Sequence, residues 1–360
     1  MAGLFDPTSI AFDGKQVQDF NELIMEEVYQ KPSLREFMTI YTGIKAKTQI
    51  GFMGRLGLVG AVSAGCAPDE NTSQVDTSEK TWDPAFIEDR FVQCWKDLLP
   101  SFWAWGLQNG VKKADLTATD YADFLSEVLI DAMQEAVLRI SWFSDKSAQN
   151  YNGSPVGVIT NGVPIKYFNA IDGIWDQLFA IATATTARKN SNLSTKNAQA
   201  TYADQAFNST DTTNKVATNA IADVKYKADL RARNNPDFRI MVTQSVFDQY
   251  AKELRTQSLD ASFIRIENGY STLIFEGTPV IALDFWDRNI DSYFNNGTKW
   301  YLPHRILGTT KANLAIGAEE ESDFSTFVMF FDQKERKNYT DIGFSIDAKV
   351  LRDYLVQMDY

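Results

Sequence analysis

From Asp341 to Val350 polar and apolar residues alternate without a break, so Ile342, Phe344, Ile346, Ala348 and Val350 share one face of a strand. The apolar, aromatic run Phe324 to Phe331 reads as a second strand, and the polar Asp332 to Thr340 joins the two as a hairpin. A different period governs Thr117 to Phe143. There Tyr121, Phe124, Leu125, Val128, Leu129, Ala132, Ala136, Val137 and Ile140 recur at helical spacing. Thr117 with Asp120 supplies a capping signal, and the helix is roughly 39 Å long. Its other face carries Asp123, Glu127, Asp131 and Glu135, an acidic stripe that repels itself unless something basic covers it.

The remaining pattern is mixed. Ile171 to Phe179, Val216 to Leu230 and Ser245 to Leu254 predict helices. Phe238 to Val242, Phe263 to Ile266, Tyr270 to Phe275 and Pro279 to Leu283 predict strands. The Ser/Thr/Asn-rich Thr185 to Thr213 reads as a surface loop. Met1 to Ile44 has the character of an arm. It holds one short amphipathic helix around Val17, Phe20, Leu23, Ile24 and Val28, ended at Lys31-Pro32. Between Lys45 and Pro100, glycine at 51, 54, 57 and 60 and a polar stretch from Pro68 to Lys80 predict a protruding hairpin or loop that a partner orders.

A chain of 360 residues, 44% hydrophobic, can bury a sizeable core. Net charge is −12, which argues against gripping nucleic acid, because phosphate neutralisation needs clustered Lys and Arg. It does not argue against a container for nucleic acid, where an acidic inner wall would keep the polymer from sticking. The N-terminus shows no secretory signal pattern. Cys66 and Cys94 form neither a metal motif nor a disulfide framework, which points to a reducing compartment.

Reactive chemistry is sparse. The glycine series lacks both the dinucleotide fingerprint and the Gly-Lys-Ser/Thr of a phosphate loop. Leu56 to Ala67 is too short to span a bilayer. Asp287-Arg-Asn289-Ile-Asp291 opens like a calcium loop, but its sixth and twelfth positions hold Ser292 and Thr298 where Gly and Glu belong, so it reads as a solvated turn. The acidic stripe lacks the Glu-x-x-His of a di-metal bundle. His304, the single histidine, has no partner nearby in sequence; an enzyme built on it would need the fold to bring a nucleophile and an orienting group. No catalytic, cofactor-binding or metal residue is therefore expected.

The order of parts resembles the major capsid protein of tailed bacteriophages, the Hong Kong 97-type fold that encapsulins share. The phrases that carry the resemblance are Phe238-Arg-Ile-Met-Val-Thr-Gln-Ser-Val-Phe-Asp-Gln-Tyr250, Phe275-Glu-Gly-Thr-Pro-Val-Ile281 and Thr309-Thr-Lys-Ala-Asn-Leu-Ala-Ile-Gly317, with the strands through Val350. It implies an α+β fold in five parts: an N-terminal arm (1–44), an extended loop (45–100), a peripheral domain with its spine helix (101–145), an axial domain (146–320) and closing peripheral strands (321–360). It implies a shell of pentamers and hexamers around double-stranded DNA, held without sequence-specific binding and assembled in the host cytoplasm. Partners would be further copies, with scaffolding, portal and decoration proteins possible, and no membrane. In such shells the extended loop lies across the neighbour, so Lys45, Lys47 and Arg55 are expected to meet Asp123, Glu127, Asp131 and Glu135 between chains. Some relatives join a loop lysine to an asparagine; Lys80 and Asn338 are conceivable positions, but no motif aligns them and that chemistry is not carried over. An encapsulin-like compartment and an α/β enzyme using His304 are the alternatives.

Overall fold

The computed structural model describes residues 35–44, 48–56, 75–94, 103–104, 106–107, 132–151, 157–256, 265–267, 270–318, 328–332, 334–335 and 337–360. Fourteen strands are described: β1 Thr39–Tyr41, β2 Gln49–Leu56, β3 Val75–Thr81, β4 Ala85–Cys94, β5 Lys189–Asn190, β6 Phe238–Val242, β7 Arg265–Glu267, β8 Tyr270–Phe275, β9 Thr278–Ala282, β10 Ile306–Thr310, β11 Leu314–Ala318, β12 Val328–Asp332, β13 Lys337–Val350 and β14 Gln357–Asp359. They form three sheets.

The long strand β13 organises the first sheet. On one side it pairs with β4 from Lys337↔Cys94 to Ile346↔Ala85. On the other, β12 covers its first half and β11 its second, all antiparallel. β1 adds in parallel to β11. The hairpin expectation holds, with β12 and β13 pairing from Val328↔Asp341 to Asp332↔Lys337, so β13 begins three residues before the joining segment was expected to end. Ile342, Phe344, Ile346, Ala348 and Val350 are all buried in one cluster with Val137 and Ile140 of the 132–143 helix. Leu125 and Val128, the other expected neighbours, lie outside the described residues.

The second sheet runs β5-β14-β10-β6-β9-β8-β7. Both faces are covered, which explains why Ile240, Met241 and Val242 of β6 are apolar in succession. Ile240, Val242, Val280 and Ile306 face a core closed by helices Val216–Lys227 and Gln244–Thr256. Met241, Ile281, Leu307 and Met358 face the larger core, beneath helix Ile174–Ala184 and helix Asp284–Tyr293. The start of helix Val216–Lys227 is capped from outside. Buried Glu253 accepts bonds from Ala217 N (3.1 Å) and Thr218 N (2.8 Å), where amides otherwise lack partners.

Several sequence boundaries shift. The stretch read as the end of the arm enters the fold, with Phe37 and Met38 buried and Thr39–Tyr41 a strand. The stretch read as one extended loop ends in β4, a strand of the main sheet. The 320/321 division does not follow the sheets: β11 belongs with β13, and β14 crosses to the second sheet. Thr185 to Thr213 is no loop. It folds into helices Ser194–Asn197, Tyr202–Gln205 and Ser209–Thr213, the last with a capping box between Asn208 and Asp211. The helix expected over 117–143 is described only from 132.

Candidate functional site

A two-stranded ribbon leaves the body of the fold between Gln49 and Thr81. β2 and β3 pair antiparallel from Gln49↔Thr81 to Leu56↔Val75, and among the described residues each pairs with nothing else. Its base is firmly rooted. Trp82, just after β3, is buried with Ile44, Ala315 and Leu351. Gly317 of β11 leaves room for it: a Cβ there would stand 2.7 Å from the Trp82 ring and 2.6 Å from Ile44 Cδ1. Lys80 Nζ donates to the Val350 carbonyl (2.6 Å) and to Asp353 (2.6 Å). The turn that follows is held by Asp83, which meets Lys146 at 2.7 Å through its side chain and donates its backbone N–H to Asp347. Lys80 therefore belongs to the ribbon's anchor.

A sheet edge adjoins the ribbon. β4 pairs only with β13 among the described residues, and its outward face shows Phe86 and Val92, 54% and 47% exposed. Phe86 lies over Gly343, where a Cβ would stand 2.5 Å from its ring. An isolated ribbon is marginal in water, and an open edge invites another strand.

Of the residues expected to pair between chains, Lys45, Lys47, Asp123, Glu127 and Asp131 lie outside the described residues, as does the side chain of Arg55. Glu135 is described, half-exposed, and meets Arg139 of its own helix at 3.2 Å, four residues on. At this one position the basic partner comes from the same chain. Arg139 also donates to the Tyr167 carbonyl, tying the helix to the next segment.

His304 is 3% exposed. Its Nε2 lies 2.8 Å from the Gln205 carbonyl, which can only accept, so Nε2 carries the proton. Nδ1 then accepts from Ser245 Oγ at 2.8 Å. A serine-histidine pair of this kind could serve a nucleophile, but Asp287 already takes the Gln244 amide (2.6 Å) and sets a carboxylate, not a donor, beside Ser245. The surrounding bonds are those of a structural knot. Asn197 exchanges two bonds with the His304 backbone, and Gln205 exchanges two with that of Trp300. The polar stretch 194–206 gains its fold through these bonds, which sequence periodicity cannot register.

The stretch Asp287 to Asp291 is helical, within Asp284–Tyr293, and not a turn. Asp291 accepts from Trp300 Nε1 at 2.8 Å. A separate acidic group was not anticipated: Asp145, Asp172 and Asp176 bring carboxylate oxygens within 4.8 Å of one another. Burial, with repulsion from Asp145 and Asp172, pushes Asp176 up to about 6.

Burial pulls His304 down to about 4. The unfolded chain protonates near 6.5 while the folded one stays neutral, so stability present above pH 6.5 is lost as pH falls towards 4, about 3 kcal/mol in all. Asp287 and Asp359, pushed up to about 6 by burial, act in the opposite sense over much of that window. Comparison with His304→Gln isolates the histidine. Between pH 7 and pH 4.5 the wild type should lose about 2–3 kcal/mol more unfolding free energy than the variant. Parallel pH profiles would contradict the assignment.

No family model and no curated protein matches the chain. Among solved structures, it is similar to a chain of the satellite phage P4 procapsid that includes the size determination (Sid) protein. The TM-score is 0.50 at 13% identity, over 94% of this chain and 98% of that one. The chain has the capsid fold of the tailed bacteriophages. Other similar chains come from the capsid of the native GTA particle (TM-score 0.49, 11% identity, 92% and 90% covered) and the capsid of cyanophage A-1(L) (0.46, 14%, 92% and 91%). No helix among the described residues is long and apolar enough to cross a membrane.

Proposed function

We propose that this chain is a major capsid protein that assembles as pentamers and hexamers into an icosahedral phage head enclosing double-stranded DNA. The observation that carries the reading is the ribbon. A rooted base at Trp82 and two strands that, among the described residues, pair only with each other make an element suited to completion by another chain. The open edge of β4 beside it supplies a matching surface. An excess of 47 acidic over 35 basic residues suits a wall that encloses a polyanion without binding its sequence. The shell belongs to the virion, and assembly takes place in the host cytoplasm. Further copies are the main partner, with scaffolding, portal and decoration proteins as others.

Register between neighbours is set by ion pairs from Lys45, Lys47 and Arg55 to the stripe of Asp123, Glu127, Asp131 and Glu135. Exposed pairs contribute about 0–1 kcal/mol each, so they align subunits more than they hold them. Glu127→Lys with Asp131→Lys should leave the subunit folded, by circular dichroism, while sedimentation shows particle yield reduced about tenfold or more, as several pairs per subunit are reversed. Normal yield from the double variant would show that the stripe is only solvated.

A further inference from the structure

Arg305 is 1% exposed, and no carboxylate among the described residues ion-pairs with it. Its Nε donates to the Leu302 carbonyl (2.8 Å) and Nη2 to the Tyr301 carbonyl (3.2 Å). Leu302 adopts φ +48°, a conformation that side-chain-bearing residues resist, in the turn that presents both carbonyls. The guanidinium sits among the rings of Trp175, Phe143 and Phe179, at 4.9, 5.5 and 5.5 Å from their centroids. Nη1 has no hydrogen-bond partner among the described residues. Arg305 lines a cavity of about 240 Å³. Asp145 and Asp176 line it too, neither within ion-pair distance of Arg305.

Asp287 favours the charge of Arg305 through space but forms no ion pair with it. A buried cation with no direct ion pair is costly, and a planar carboxylate is the anion whose geometry a guanidinium matches. We propose that this cavity binds a small carboxylate, whose oxygens take the free Nη1 of Arg305 between aromatic walls. The negative charge of Asp176 opposes that anion, so removing it strengthens binding. The carboxylate has two possible sources, a free metabolite-sized acid or an acidic side chain of a neighbouring copy.

The test is titration of unassembled full-length chain with sodium acetate against sodium chloride at equal ionic strength. Saturation transfer from aromatic protons to the acetate methyl reads the binding. Wild type should show transfer, and Asp176→Asn should bind about threefold to tenfold more tightly. Arg305→Lys should weaken binding at least tenfold. Among the described residues the Asp176 side chain makes no hydrogen bond that the variant would break, so Asp176→Asn carries the test if Arg305→Lys fails to fold. Absence of transfer in the wild type, unchanged or weaker binding in Asp176→Asn, or undiminished binding in a folded Arg305→Lys overturns the proposal. The same titration on assembled particles separates the sources: transfer that persists identifies a free acid, and transfer lost on assembly identifies a neighbour's carboxylate. The first arm does not depend on whether the chain forms shells.

Discussion

Trp286→Ala should lower the unfolding free energy of the unassembled subunit by about 3–5 kcal/mol. Trp286 is fully buried. It meets Trp142 of the 132–143 helix edge-on at 4.9 Å and Trp175 of helix Ile174–Ala184 in the same manner, also at 4.9 Å. One side chain therefore joins three helices. Each such pair contributes about 0.5–1.5 kcal/mol beyond its area, and the alanine leaves a cavity that three fixed helices cannot close. The indole Nε1 of Trp286 has no hydrogen-bond partner among the described residues, so Trp286→Phe discards no polar contact there and should cost much less. Urea titration with linear extrapolation measures both. A loss below about 1 kcal/mol for Trp286→Ala would mean that the three helices are held elsewhere.

Phe344→Ala should cost a similar amount, about 3–5 kcal/mol. Phe344 is 3% exposed, midway along β13, opposite Ile87 of β4 in the register. Strand alternation places it with Ile342 and Ile346 against the larger core, and that core also receives the 132–143 helix. The loss is felt where the first sheet meets the 132–143 helix, so particle formation should fall with stability. Lys337→Ala, at the exposed start of the same strand, should change stability by less than about 0.5 kcal/mol. Equal effects from the two variants would contradict the assignment of faces.

Long periodic segments were legible in the sequence, and short or polar ones were not. The alternation of β13 and the apolar Ile240, Met241 and Val242 of β6 each state their own environment, one face buried in the first and both in the second. β1 and β14, three residues each, carry no period; their pairing is decided by β11 and β10, far along the chain. β4 was hidden because one face mixes Phe86 and Val92 with Glu88 and Arg90. The segment 185–213 was misread because its fold depends on Asn197, Gln205 and Asp211, whose hydrogen bonds replace apolar burial. At the candidate site, the glycine-spaced stretch was legible as a hairpin, but its anchor at Trp82 and Gly317 was not, since it joins distant strands. The stripe of like charges was legible as a surface, yet a single sequence cannot say which chain covers it.

The central claim is that this fold closes a shell. Cryo-electron microscopy of the purified full-length chain after assembly, with nuclease treatment of particles made in infected cells, tests it most directly. The account predicts icosahedral particles whose pentamers and hexamers place the ribbon of one subunit across its neighbour, and DNA inside that resists nuclease. Subunits that remain monomeric under every assembly condition, or particles in which the ribbon touches only its own chain, would contradict it.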